Sequence, residues 1–172
     1  MKIRQEQPTD YQEVYELVKK SFATSSHADG TEHDYLNQVR KKDSFIPELS
    51  LVTENDDGTI IGQIVLYKTV ITSQDRKIAE LLLSPICVHP NFFRQGIARE
   101  MMEEAFQIAT EMGYFAVFLC GNPNFYHKID FRPTYEFGIF HINDESKKAD
   151  WCMVRELTDG ALKNINGTIN IN

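Results

Sequence analysis

Two apolar runs joined by one helix constrain this chain more than any other feature in it. Ile78 to Val88 reads as a strand, and Phe115-Ala116-Val117-Phe118-Leu119-Cys120 is a continuous apolar run of the kind buried on both faces of a sheet. Between them the pattern turns helical from Ile97, with Ala98, Met101, Ala105, Ile108 or Ala109, and Met112 on one side, and Gly113 follows as a helix stop. Strand, helix and strand in that order close as a parallel pair through a right-handed crossover. Pro85 cannot donate to a ladder, so a bulge or break in pairing is expected there.

The elements before this unit have their own signals. Ile3 and Arg4 suggest a short strand, and Thr9-Asp10-Tyr11-Gln12 opens a helix that runs to about Phe22. Ala23 to Gly30 reads as a loop, and Thr31-Glu32-His33-Asp34 as the cap of a second helix carrying Tyr35, Leu36 and Val39. Leu49 to Glu54 and Ile60 to Ile71 form a hairpin around Asp56-Asp57-Gly58. A short helix near Asn124 to Lys128 and strands at about 136–142 and 151–156 complete the α/β (α+β) pattern. With 172 residues the chain is expected to be a single domain over 1–172, with a loosely held tail at about 164–172.

The segment leading out of the first apolar run carries the chemistry. Val88-His89-Pro90-Asn91-Phe92-Phe93-Arg94-Gln95-Gly96-Ile97-Ala98-Arg99 takes the chain from strand to turn to helix. A helix N-terminus presents unpaired N–H groups and the positive end of the macrodipole, which together suit an anion. Gly96 removes a Cβ, Ala98 is slim, and Arg94 and Arg99 add positive charge. The same pattern is also an ordinary α/β connection. Neither G-x-G-x-x-G nor G-x-x-x-x-G-K-[ST] occurs, so the turn by itself leaves both readings open.

Composition removes several function classes. The net charge of −7 argues against non-specific binding to nucleic acid or an anionic membrane, and leans toward a cationic substrate such as an amine. Cys87, Cys120 and Cys152 are widely spaced in apolar runs and read as buried thiols of a reducing compartment. The five histidines never fall at metal-ligand spacing, so no metal is expected. Met1-Lys2-Ile3-Arg4-Gln5-Glu6 has no signal-like apolar region and no apolar run reaches membrane-spanning length, which points to a cytoplasmic protein.

In this order and spacing the chain resembles the GNAT superfamily of acetyl-CoA-dependent N-acetyltransferases. The likeness extends from Ile3 to about Leu157. Val88-His89-Pro90 followed by Gly96-Ile97-Ala98 is similar to the family's strand and phosphate cradle. Phe125-Tyr126-His127-Lys128-Ile129-Asp130-Phe131 is similar to its Y-Y-x-x-x-G-F, and Arg4 to Phe22 to its first strand and helix. Two positions depart from the pattern: Phe93 stands where the family has Gln or Arg, and Asp130 where it has Gly.

The resemblance implies a mixed, mostly antiparallel sheet of six or seven strands with a parallel pair at its centre and helices on both faces. It implies acetyl-CoA as cosubstrate, lying between the strands that end at Val88 and Cys120. Pyrophosphate would rest on the backbone N–H groups of Arg94, Gln95, Gly96, Ile97, Ala98 and Arg99, and the pantetheine arm along Ile86, Cys87 and Val88. Val88 N–H would polarise the thioester oxygen. Asn122 would touch the cofactor arm or cap the next helix. Tyr126 would protonate the leaving sulfur, or pack as an aromatic, and Glu80 is the candidate general base, or a surface residue. His27, Asp29, Glu32, Tyr35, Tyr135 and Phe137 fall where the family builds its acceptor pocket; Asp29 and Glu32 could bind a cationic amine there, but carboxylates at a helix start usually serve the dipole. The expected reaction moves acetyl to a primary amine of a small molecule or peptide by direct attack, without nucleic acid or membrane partners; homodimers are common in such proteins. A non-catalytic acyl-CoA-binding sensor and another nucleotide-binding α/β protein are the rival readings.

Overall fold

The computed structural model describes residues 1–23, 29–74 and 76–171. The elements in chain order are β1 (Lys2–Gln5), α1 (Tyr11–Phe22), α2 (Glu32–Val39), β2 (Ser50–Glu54), β3 (Ile60–Thr72), β4 (Lys77–Val88), α3 (Ile97–Glu111), β5 (Ala116–Cys120), α4 (Pro123–Tyr126), β6 (Arg132–Pro133), β7 (Ile139–His141), β8 (Cys152–Glu156) and β9 (Gly167–Ile169). Hydrogen bonds link the strands in the order β1-β2-β3-β4-β5-β8-β6, with β9 paired to β3 and β7. The chain divides into two compact units, Met1–Tyr67 with Ser84–Ile108 and Lys68–Leu83 with Ala109–Asn172.

In the first unit β1, β2 and the start of β3 are antiparallel, with Arg4 opposite Val52 and Val52 opposite Gln63. The hairpin forms as its sequence implies: Gly58 takes φ +80, and Asn55 Oδ1 accepts from the N–H groups of Asp57 and Thr59. The two faces of β3 go to different helices. Tyr67 hydrogen-bonds Tyr35 of α2, while a Cβ on Gly62 would stand 3.0 Å from the Met101 side chain of α3. Because side chains alternate along a strand, Gln63 and Val65 share the α2 face with Tyr67; the register shift opposite Thr53 and Glu54 interrupts the alternation at Ile61. The entry to α1 is tied by Arg4, whose guanidinium binds both Asp10 and Glu54 and holds the Asp10 carboxyl below its ordinary range.

In the second unit β4 and β5 are parallel, with Leu81 opposite Val117 and Leu82 opposite Phe118. β5 then pairs antiparallel with β8 along its whole length, from Ala116 opposite Glu156 to Cys120 opposite Cys152. Val117, Phe118, Leu119, Phe131 and Val154 are buried, as a strand covered on both faces requires.

Several expectations shift. The break expected at Pro85 is a cis Ser84–Pro85 peptide, and β4 runs on to Val88. The strand expected over 136–142 is confined to Ile139–His141, because Thr134–Phe137 coil into a 3-10 turn closed by Gly138 at φ +73. The segment expected to be a loose tail contains β9, where Ile169 is opposite Ile71 and 1% exposed. Its Gly167 fits because a Cβ there would collide with the Thr72 carbonyl oxygen. On α3 the buried stripe is Ile97, Met101, Met102, Ala105, Phe106 and Ala109, whereas Met112 is exposed.

Candidate functional site

The first unit contains the strand–turn–helix cradle. His89 N–H donates to Ile61 O at 2.7 Å, which ties the end of β4 to β3. Successive N–H groups of a strand leave from opposite edges, so the N–H of Val88 points away from β3. Beyond it, Pro90–Phe92 make one 3-10 turn, with Asn91 N–H donating to the His89 ring at 3.2 Å. Arg94 and Gly96 then both adopt left-handed conformations, at φ +62 and +83. Left-handed residues of this kind occur in the turns whose N–H groups form anion-binding nests, and this turn leads directly into α3.

The helix behind the turn completes the cradle. Glu100 N–H donates to Gly96 O at 3.0 Å, the first turn of the α3 ladder. The N–H groups of Ile97, Ala98 and Arg99 precede any intrahelical acceptor and point out of the helix end. Ile97 anchors this end in the core, while Arg94, Gln95, Gly96 and Arg99 are exposed. The departure at Phe93 also has a place: its side chain is 49% exposed, and the cradle is made of backbone. Ile86 is half-buried and Cys87 is buried, its thiol pushed up to about 12 by desolvation.

The second unit holds Asn122, Tyr126 and Glu80. Asn122 Oδ1 caps α4 by accepting from Asn124 N–H at 3.0 Å, and the residue is exposed. Tyr126 is half-buried, edge-on to Phe125 at 4.9 Å and Phe131 at 5.6 Å between ring centroids. Burial pushes its hydroxyl up to about 12, so at neutral pH it is a protonated donor. Asp130, the departure from the family's glycine, has φ +66, a left-handed position that Asp tolerates better than most side chains. Phe131 N–H then returns to Tyr126 O at 3.2 Å.

Glu80 is 1% exposed rather than on the surface. Its Oε2 accepts from the backbone N–H groups of Phe115 and Ala116, at 3.1 and 3.0 Å, and holds the first residues of β5. Burial raises this carboxyl to about 6 against the opposing pull of those two donors.

The residues expected on the acceptor side belong to different elements. Asp29 accepts from the N–H and hydroxyl of Thr31, and Glu32 Oε1 accepts from Asp29 N–H, so both carboxylates brace the start of α2. Tyr35 bonds Tyr67; Tyr135 and Phe137 sit in the 3-10 turn; His27 lies outside the described residues. Sequence reasoning missed Gln63. It is 0% exposed, and among the described residues neither atom of its side-chain amide has a partner. Its only signal was a polar residue within the apolar run of β3. No cluster that could hold a metal ion occurs among the described residues, and no helix there is long and apolar enough to cross a membrane.

A family model described as the acetyltransferase (GNAT) domain matches residues 2–134. The chain therefore belongs to the GNAT acetyltransferase family. It is 27% identical over 169 residues to the uncharacterized N-acetyltransferase YhbS of Escherichia coli strain K12, covering 98% of this chain and 95% of that protein. The crystal structure of E. coli YhbS in complex with CoA superposes with a TM-score of 0.86 at 23% identity, covering 99% of this chain and 89% of that one. A GNAT family acetyltransferase from Brucella melitensis, in complex with acetyl-CoA, gives a TM-score of 0.78 at 19% identity, covering 99% and 95%. Chaetomium thermophilum Naa20 in complex with a bisubstrate analogue gives 0.61 at 20%, covering 91% and 86%. At these identities the solved structures speak for the fold.

Proposed function

We propose that this protein transfers an acetyl group from acetyl-CoA to a primary amine by direct attack. The observation that carries the reading is the left-handed pair Arg94 and Gly96, which we read as a backbone nest opening onto the N-terminal N–H groups of α3. Such a nest suits a pyrophosphate and needs no particular side chain, which is why Phe93 does not weaken it. YhbS and the Brucella protein, with the same fold, were solved with CoA and acetyl-CoA respectively. Acetyl-CoA supplies an activated thioester; the protein's contribution is to hold, orient and exchange protons.

In this reading the N–H of Val88, free of β3, donates to the thioester oxygen as charge develops there. Ile86 and Cys87 offer backbone to the pantetheine arm. Tyr126 Oη carries the proton that the departing sulfur needs, and its raised pKa keeps that proton in place until then. Asn122 caps α4 through Oδ1 and keeps its amide NH2 for the cofactor arm. We assign Glu80 to the support of β5, because its carboxylate is engaged by two backbone donors. The acceptor amine then loses its proton to solvent. Positioning of the two reactants supplies the main rate advantage, on the order of several kcal/mol.

The test is a binding series followed by an amine panel. CoA and acetyl-CoA are expected to raise the melting temperature of the wild type, and Gly96→Glu to abolish that rise by putting bulk and charge in the nest. A rise with a dinucleotide and none with CoA would overturn the reading. Release of free thiol with at least one primary amine is expected; binding with no release on any amine would make the protein an acyl-CoA sensor.

A further inference from the structure

Cys120 and Cys152 face each other across β5 and β8. The hydrogen bonds on either side define what kind of facing pair they are. Gly121 N–H donates to Trp151 O at 2.9 Å, and Leu157 N–H to Phe115 O at 2.8 Å. The positions 121/151 and 115/157 are therefore hydrogen-bonded pairs of this antiparallel ladder. Alternation makes 120/152 a non-hydrogen-bonded pair, where Cα atoms approach to about 4.5 Å and side chains are closest. That separation falls inside the range of about 4.4–6.8 Å that a disulfide spans. Neither strand has to shift register to bring the sulfurs together.

The environments of the two thiols differ in a useful way. Cys152 is buried, and its sulfur receives the Thr134 hydroxyl at 3.5 Å. Cys120 is half-buried at the open end of β5, with its thiol toward Ile171 O at 3.7 Å. In the reduced pair the Cys120 S–H donates to the Cys152 sulfur, which holds Cys152 below and Cys120 above the ordinary thiol range; access, not acidity, makes Cys120 the first to react. Cys87, in the other unit, is raised by burial and faces no second cysteine in this way.

We propose that Cys120 and Cys152 form a reversible oxidation site, closing to an intramolecular disulfide when met by a low-molecular-weight disulfide RSSR. Cys120, the more exposed of the two, first gives its proton to solvent; its thiolate attacks one sulfur of RSSR, the RS–SR bond breaks, RS⁻ leaves and is protonated to RSH, and a mixed disulfide remains at Cys120. Cys152, whose sulfur still receives the Thr134 hydroxyl, then loses its proton and attacks the Cys120 sulfur; the Cys120–SR bond breaks and the second R group leaves as RSH with the proton Cys152 lost. The balance is two thiols and RSSR giving one protein disulfide and two RSH, so the cysteines are oxidised and RSSR is reduced. The bond would pin the last residue of β5 to β8 immediately before Gly121 and Asn122. Since the ring of Tyr126 packs on Gly121, it also reaches the group assigned to the leaving sulfur, a consequence that rests on the acetyltransfer reading.

The full chain, incubated with glutathione disulfide, is expected to lose about 2 Da and yield a Cys120–Cys152 linked peptide with Cys87 still free, all reversed by a phosphine reductant. Cys152→Ser is expected to stop instead at a glutathione adduct on Cys120. Retention of two free thiols at 120 and 152, or a stable adduct on wild-type Cys120, would overturn the proposal. The mass readout needs no substrate, so a failure of CoA binding would be seen separately. Where turnover is measurable, it should fall on oxidation in the wild type and not in Cys152→Ser; equal rates in both wild-type redox states would overturn the coupling to Tyr126.

Discussion

The ring of Tyr126 occupies the space that a side chain on Gly121 would need: a Cβ there would stand 2.5 Å from Tyr126 Cε2 and 2.9 Å from Cδ2. The two residues are joined through α4, a helix of only four residues capped by Asn122. The bare Cα of Gly121 thus sets where the Tyr126 hydroxyl lies. Tyr126→Phe is expected to lower kcat by about 10²-fold with CoA affinity unchanged, as loss of a general acid predicts. Gly121→Ala should reproduce part of that loss, about 10-fold, while leaving the hydroxyl in place. Steady-state kinetics with isothermal titration of CoA separate the two effects; equal turnover in wild type and Tyr126→Phe would remove Tyr126 from the chemistry.

Glu80 makes a pH prediction whose sign can be worked out. Its folded-state pKa of about 6 lies above the ordinary value of 4.5. Between those two pH values the folded chain holds more protons than the unfolded one. Stability attributable to Glu80 is therefore full below about pH 4.5, falls as pH rises to about 6, and is level above, by up to about 2 kcal/mol. Glu80→Gln keeps an oxygen for the Phe115 and Ala116 N–H groups without a buried charge. Its melting temperature is expected to match or exceed the wild type at pH 7.5 and to lose this slope between pH 4.5 and 6. Its turnover should stay within about 3-fold; a loss on the order of 10²-fold would make Glu80 the general base instead.

What the sequence made legible was organisation dictated by local pattern. The apolar run of β5, the 3.6-residue stripe of α3 and the Asp56-Asp57-Gly58 hairpin each carry their instruction in consecutive residues. The cradle was legible for the same reason, since Gly96 and the helix start lie side by side in sequence. The burial of Glu80 was not, because its partners are backbone N–H groups 35 and 36 residues away and leave no mark in residue type. β9 was missed because an Asn- and Gly-rich stretch has low strand propensity. Its pairing with β3 and the burial of Ile169 and Ile171 override that propensity. Asp130 stands where the family pattern has glycine, and its backbone is left-handed at φ +66, a conformation that glycine adopts freely and that residue type alone did not announce.

Gln63 yields a prediction in which stability and activity move in opposite directions. Among the described residues its buried amide lacks any partner, and an unpaired polar group costs roughly 1–3 kcal/mol. Gln63→Leu removes the polar atoms at similar volume, so the melting temperature is expected to rise by a few degrees. The residue shares the α2-facing side of β3 with Tyr67, the hydrogen-bond partner of Tyr35, which the family resemblance implies lines the acceptor pocket; on that proposal KM for the amine should rise while CoA affinity holds. A lower melting temperature would show that the amide is satisfied in solution.

The last prediction concerns a charge that works against the cradle. Glu100 Oε1 is 4.0 Å from the point where a Cβ on Gly96 would stand, so a carboxylate sits at the mouth of a nest suited to anions. For the isolated helix this placement is favourable, because a first-turn carboxylate meets the positive end of the macrodipole. For a bound pyrophosphate it is repulsive, and the nearby Arg94 and Arg99 offset it only in part. Glu100→Gln is therefore expected to tighten CoA binding about 2- to 5-fold at low salt, the scale of one exposed charge interaction, and by less at about 0.5 M salt, where the Debye length shortens. The same variant should lose a few tenths of a kcal/mol of stability from the weaker dipole interaction. Titration of CoA into both proteins at two salt concentrations measures the first effect and thermal melts the second. Weaker CoA binding in Glu100→Gln would move the pyrophosphate off the α3 N-terminus.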